Sequence, residues 1–287
     1  MNAVRVESLH HTETGTWSHL VFDPDSRVAA LIDPVLDFDI KSGRTSTAFA
    51  QRLVDLAMAQ GCTVRWILET HAHADHLSAA PWLKLRLDAR VGIGAGIVMV
   101  QGTFKPIFNL EPGFATDGSQ FDHLFGDGER FALGAIDAEV IPTPGHTSDS
   151  VSYRFGDAVF VGDSLFMPDA GTARCDFPGG DPAVLHASIR RLYQLPAETR
   201  VFVCHDYGPG GREARSQSTI GEQQASNIHL RADTSEAEFV ALRRARDATL
   251  SMPALMIPAV QVNIRAGAFP PAEGNGIRYL KLPLDTL

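Results

Sequence analysis

The sequence predicts a protein of mixed strands and helices stacked in layers. Short apolar runs of strand length alternate with longer stretches of helical spacing, the pattern of sheets covered by helices. Several of those runs end in His or Asp beside Gly, Thr or Pro. No repeat, low-complexity segment or Gly/Ser-rich linker divides the chain. One domain over residues 1–287 is therefore expected, with a helical extension from about residue 211.

Val4 to Glu7 alternates as an edge strand does. Trp17 to Phe22 and Val28 to Ile32 are strand-like runs split by the turn cluster Asp23-Pro24-Asp25-Ser26. The second run ends at Asp33, an acid that either orients a metal ligand or caps the next segment. Thr45 to Gln60 has helical spacing, with Phe49, Leu53, Leu56 and Ala57 on one face and Gly61 as the stop. Val64 to Leu68 is a buried strand, Leu77 to Leu87 a helix, and Arg90 to Ile93 another strand. Gly94 to Phe125 mixes Phe104, Ile107, Phe108, Phe114, Phe121 and Phe125 with Gly, Pro and Asn. That stretch is a lid, a subunit contact or a satellite core. Phe131 to Ile141 alternates as one strand. Val151 to Phe155 and Ala158 to Val161 form a hairpin. Asp181 to Tyr193 is a helix with Pro182 in its first turn. Arg200 to Val203 is a last buried strand. Ser218 to Leu230 and Ser235 to Leu250 are helical, and Arg278 to Leu282 is strand-like.

The net charge of -9 and the lack of any basic run exclude nucleic acid as the main partner. Three scattered cysteines, Cys62, Cys175 and Cys204, form no metal-type pair and no disulfide framework. Met1 to His11 lacks the apolar run of a signal peptide, and no run is long enough to span a membrane. A cytoplasmic, soluble protein is expected.

The chemistry gathers at strand ends. Thr70-His71-Ala72-His73-Ala74-Asp75-His76 places three histidines and an aspartate in six positions between a strand and a helix. His146 follows Pro142-Thr143-Pro144-Gly145, Asp163 follows Gly162, and His205 follows the last buried strand. One such His is usually a satisfied core residue. Four strand ends of this kind are different, because unpartnered buried imidazoles and carboxylates are costly to fold and a metal relieves the cost. Neutral imidazole nitrogens and carboxylate oxygens suit zinc or iron.

The series HxHxDH, His146 after a Thr-Pro-Gly turn, Gly162-Asp163 and His205 resembles the metallo-β-lactamase superfamily over roughly residues 15 to 210. The resemblance implies an α+β fold: a four-layer αββα sandwich with the metal in a cleft at one edge of the sheets. Leu31-Ile32-Asp33-Pro34-Val35-Leu36, Ala173-Arg174-Cys175-Asp176-Phe177, His205-Asp206-Tyr207 and Asn263-Ile264-Arg265-Ala266-Gly267 resemble persulfide dioxygenases within it. The bacterial branch once labelled β-lactamase hydrolase-like is similar through Met167 to Asp181.

That resemblance implies one Fe(II) per chain, held by His71, His146 and Asp163, and oxidation of glutathione persulfide by O2 to sulfite and glutathione, a step in sulfide detoxification. His73, Asp75, His76, His205 and Asp33 would orient ligands and waters around it. Arg174, Tyr207 and Arg265 are candidate substrate contacts, since an Arg fork matches a glutathione carboxylate. Arg174 alternatively pairs with Asp176 or Asp181. A homodimer is expected. The competing reading is a dinuclear zinc hydrolase of glyoxalase II type acting on acylglutathione thioesters. A lactonase and a non-catalytic metal-binding protein are weaker alternatives.

Overall fold

The computed structural model describes residues 3–286; Met1, Asn2 and Leu287, at the ends of the expected domain, lie outside the described residues. The first sheet has six strands in spatial order: β1 Arg5–His11, β2 Thr16–Phe22, β3 Val28–Ile32, β4 Thr63–Leu68, β5 Arg90–Gly94 and β6 His123–Phe125. Its first two pairings are antiparallel and its last three parallel. The second sheet runs β7 Arg130–Leu133, β8 Ile136–Pro142, β9 Val151–Phe155, β10 Ala158–Phe160, β11 Arg200–Phe202 and β12 Gln217–Thr219. Only β10 and β11 pair in parallel.

Successive side chains on a strand point to opposite faces, and here both faces are buried. Val21, Ala30, Ile32 and Leu68 meet Val140, Tyr153, Phe155 and Phe160 between the sheets. Their neighbours Leu20, Phe22, Leu31 and Ile67 point the other way. There they pack under α1 (Ala48–Ala59), α2 (Ala80–Leu87), α3 (Ile97–Ile107) and, from the end of the chain, residues 256–264. On the far side Val159, Val161 and Val201 lie under α4 (Pro182–Leu192), α5 (Ile220–Ser226) and α6 (Glu236–Asp247). The last helix is α7, Met256–Asn263. The layers are thus helix, sheet, sheet, helix, the expected α+β sandwich. No described helix is long and apolar enough to cross a membrane.

Several sequence expectations need correction. The aromatic stretch contains α3 and β6, and Phe104, Phe108, Phe114 and Phe121 are buried in the first core. Its apolar content is satisfied by packing within the chain, so it needs no lid or subunit contact to explain it. Phe131 to Ile141 is two strands, not one, turned at Gly134. The helix after the His-rich loop starts only at Ala80, because Leu77–Ser78 pairs with Val35 and Leu36 in a small third sheet. The C-terminal part is not purely helical: Gln217–Thr219 adds an edge strand to the second sheet, and Thr219 then caps the short α5. Arg278 to Leu282 has no regular structure.

Candidate metal centre

The strand ends converge on one edge of the sandwich. β3 delivers Asp33, β4 the loop from Glu69 to His76, β8 the turn to His146, β10 the turn to Asp163, and β11 His205. Two close turns set the later ligands. Gly145 has φ +130°, and a Cβ there would sit 2.3 Å from the Leu185 backbone nitrogen of α4. Gly162 has φ +51°, and a Cβ there would press on Thr70 at 2.6 Å. Any side chain at either position would push His146 or Asp163 off the edge.

The donor atoms form two groups. In each, the ligand atoms lie within 4.8 Å of one another: His71, His146 and Asp163 in one, His73, Asp75, His76 and His205 in the other. Asp163 joins them, with Oδ2 3.6 Å from His146 Nε2 and Oδ1 3.4 Å from His205 Nε2. His71 Nε2, His73 Nδ1, both nitrogens of His76 and of His205, Asp75 Oδ2 and Asp163 Oδ1 are buried without a hydrogen bond. An unmade bond costs about 1–3 kcal/mol for each such group. So many orphaned donors at one point fit a metal ion, and no described residue supplies their missing partners. Of the five residues expected to stand behind the ligands, His73, Asp75, His76 and His205 carry open buried donor atoms as His71 and Asp163 do, whereas Asp33 is spent on Thr70 and His73.

Neighbours fix which nitrogen faces inward. His146 Nδ1 donates to the Arg174 carbonyl at 2.7 Å, leaving Nε2 its lone pair. Thr70 Oγ1 donates to Asp33 Oδ2 at 2.9 Å and so accepts from His71 Nδ1 at 3.0 Å. His71 Nε2 is thereby free to ligate. His73 spends Nε2 on Asp33 Oδ1 at 2.9 Å and keeps Nδ1 open. Asp33 therefore supports both histidines, and Asp33 itself adopts φ 50°.

Burial, reinforced by the neighbouring His73 and His146, holds the His71 pKa well below the ordinary histidine value. Burial, with His73 beside it, likewise lowers His76 to about 4. Both rings are neutral at physiological pH, the state a metal requires. For His73 burial also pulls downward, but Asp33 and Glu69 outweigh it and raise the pKa. Burial opposes ionisation of Asp75 too, yet His205 and His76 hold its pKa well below the usual range.

A cavity of about 440 Å³ opens onto Asp75, His146 and Asp163. Its walls include Phe166, Phe177, Ile228, Leu250 and Tyr207, whose ring stacks on His205 with centroids 5.9 Å apart. Arg174 lines it too, but its guanidinium is bidentate to Asp176 at 2.6 and 2.7 Å and lies over the Phe177 ring. Arg265 is not among the lining residues. It is buried, grips Glu111 at 2.6 and 2.7 Å and stacks on Phe114. The expected substrate contact at Arg265 is thus corrected to a structural ion pair. Among the described residues, Arg246 is a cavity arginine whose side chain has no ion pair or hydrogen bond.

Sequence reasoning missed several supports. Asp149 Oδ2 accepts from the Ala72 amide at 2.7 Å. Glu69 accepts from the Ser78 hydroxyl, and burial raises its pKa. Asn263 donates to the carbonyls of His73 and His76 at 2.8 and 2.7 Å and accepts from the Ser78 amide at 2.9 Å. Asn263 stood in a noted stretch, but its partners lie across the chain and leave no local signal.

Residues 11–205 match the family model described as "Metallo-beta-lactamase superfamily". A probable metallo-hydrolase of Burkholderia pseudomallei is 52% identical over 98% of this chain and 99% of its own. A Dictyostelium discoideum protein named Glyoxylase B2 is 47% identical over 100% and 99%. The crystal structure of ETHE1 from Myxococcus xanthus superposes with a TM-score of 0.73 at 30% identity, covering 92% of this chain and 100% of that one. Mouse mitochondrial persulfide dioxygenase ETHE1 is 27% identical over 93% of this chain and 91% of its own.

Proposed function

Because the chain belongs to the metallo-β-lactamase superfamily, we propose that its donor cluster holds one Fe(II) at His71, His146 and Asp163 and oxidises glutathione persulfide. Two imidazoles and one carboxylate on one face are the donor set of non-haem Fe(II) oxygenases. Iron bound there supplies the redox change that O2 requires. The balance is glutathione persulfide, O2 and water giving glutathione, sulfite and two protons, with four electrons passing from sulfur to O2.

The observation that carries this reading is the direction of the opening. His146 and Asp163 of the triad line the cavity, joined by Asp75 of the other group, while His71, His73 and His76 lie behind them. A sulfur anion entering the cavity meets two of the three triad ligands at its floor. The likeness to the Myxococcus xanthus ETHE1 structure, over the whole of that chain, and to the mouse protein named persulfide dioxygenase ETHE1 supports this reaction. The chain's own residues bind and shield. Phe166, Phe177 and Ile228 exclude water around the reacting sulfur, and Tyr207 holds the His205 ring flat beneath its own. Arg246 suits a glutathione carboxylate better than Arg174, whose fork already carries Asp176.

One observation favours the second reading, a dinuclear zinc thioesterase. The two oxygens of Asp163 face the two donor groups, as a bridging ligand would. The deciding experiment measures metal content, persulfide-dependent O2 uptake with sulfite release, and S-lactoylglutathione hydrolysis on one preparation. One iron with O2 uptake supports the dioxygenase. Two zincs with rapid thioester hydrolysis and no O2 uptake move the assignment to the hydrolase.

A further inference from the structure

We propose that the C-terminal helices are the positioning elements of the metal centre: Asp247 of α6 holds the carbonyl that orients His146, and Asn263 of α7 holds the loop that carries His73, Asp75 and His76. The proposal rests on the metal centre of the preceding reading but not on the reaction assigned to it.

The α6 side is a buried relay. Asp247 Oδ2 accepts from the Cys175 amide at 2.9 Å. Arg243, one helical turn earlier, is 1% exposed, pairs with Asp247 through Nη2 and donates from Nη1 to the Thr172 carbonyl at 3.1 Å. The Thr172 amide in turn bonds His229 Nδ1 at 2.9 Å. Residues 172 and 175 are thus fixed on both sides of Arg174, whose carbonyl takes the His146 Nδ1 proton. A shift of this short segment rotates the imidazole and moves Nε2 away from Asp163.

The α7 side acts directly on backbone. Asn263 uses its amide as donor to His73 and His76 and as acceptor from Ser78. Only a carboxamide supplies two donors and an acceptor on one side chain. Each helix therefore grips one of the two donor groups, and neither Asp247 nor Asn263 is itself among the clustered donors.

The test uses the full chain and measures affinity for Fe(II), anaerobically, and for Zn(II) by chelator competition, next to thermal unfolding of the metal-free protein. Asp247→Ala and Asn263→Ala should weaken metal binding by roughly 10- to 100-fold while the protein remains folded. Asp157→Ala is the control. It breaks an equally bidentate pair, with Arg200 at 2.9 Å, and a bond to the Val4 amide, at the starts of β10 and β11, the opposite ends of these strands from the turns that carry Asp163 and His205. It should lower the unfolding temperature and leave metal affinity within about two-fold of the parent, well short of the loss expected at the clamps. If the alanine variants do not fold, Asp247→Asn and Asn263→Asp carry the comparison. Asp247→Asn keeps an acceptor for Cys175 and should fall between parent and alanine. Asn263→Asp loses the donors and should bind as poorly as alanine. Metal affinity unchanged in the clamp variants, or lost equally in the control, overturns the proposal. Metal retained by the parent without O2 uptake overturns only the dioxygenase reading.

Discussion

The two halves of the donor set reach the edge by different routes. His71, His73, Asp75 and His76 come from one loop after β4, whereas His146, Asp163 and His205 come from three turns of the second sheet. The first half is a local motif whose spacing is its geometry. Its backbone is held by distant side chains, Asp149 and Asn263. The second half has no motif. Its positions follow from strand order, from Gly145 against α4 and from Gly162 against Thr70. A site can therefore keep an intact sequence signature and still fail through the half that has none.

Each half contributes to both donor groups, and the largest expected effect tests whether those groups share one metal or divide two. Asp163 touches both groups, so Asp163→Ala should remove bound metal and turnover while the core strands remain folded. His76→Ala then separates the cases. Under the single-iron reading it leaves metal content near one per chain and reduces turnover only in part. Loss of half the metal together with all activity would assign the two donor groups to two ions. Metal analysis beside O2 uptake reads both.

An intermediate effect concerns the cavity wall, which the second half builds. Arg246→Ala should raise KM for the persulfide by roughly 10- to 100-fold with kcat little changed, the worth of one charge-assisted hydrogen bond. Arg174→Ala should act differently. It frees Asp176 and loosens the segment above His146, so kcat and metal retention should fall together. If KM alone moves for Arg174 and not for Arg246, the anion contact belongs to Arg174 after all.

The smallest effect lies in the scaffold of the second half. His19 is buried and its Nε2 bonds the Val203 carbonyl at 3.1 Å, next to Cys204 and His205. Burial lowers its pKa to about 4 from 6.5. The unfolded chain thus binds a proton that the folded chain refuses between those values. The stability it contributes is complete above pH 6.5 and lost as pH falls toward 4. His19→Gln should lower stability at neutral pH but flatten this acid decline by about 1.4 kcal/mol per pH unit. Urea unfolding of metal-free protein at several pH values checks it; an unchanged slope removes His19 as the cause.

The sandwich was legible because its central strands are apolar on both faces and short, so Trp17 to Phe22, Val28 to Ile32 and Val64 to Leu68 announce themselves. The His-rich loop was legible because ligation needs side chains at fixed close spacing. From the residues themselves, His146, Asp163 and His205 were legible as a repeated habit of ending strands in donors; their assignment as ligands or neighbours of a metal came from the family resemblance. The helix α3 was hidden by Gly96, Gly102 and Pro106 in or beside an apolar run. The role of Arg265 was misread because its partner, Glu111, lies 154 positions away. Asp247 and Asn263 were silent for the same reason: a polar residue on a helix looks solvated until the segment it holds is known.

The clamp at Asn263 also sets an order of events during synthesis. It closes on the carbonyl of His76 from 187 positions further along the chain. A growing polypeptide leaving the ribosome presents every donor, His205 included, before that amide exists. On the proposed role of Asn263, a metal caught at this stage would sit in a loop that α7 does not yet hold. The synthesis and docking of α7, not the appearance of the ligands, would then be the step that closes the site.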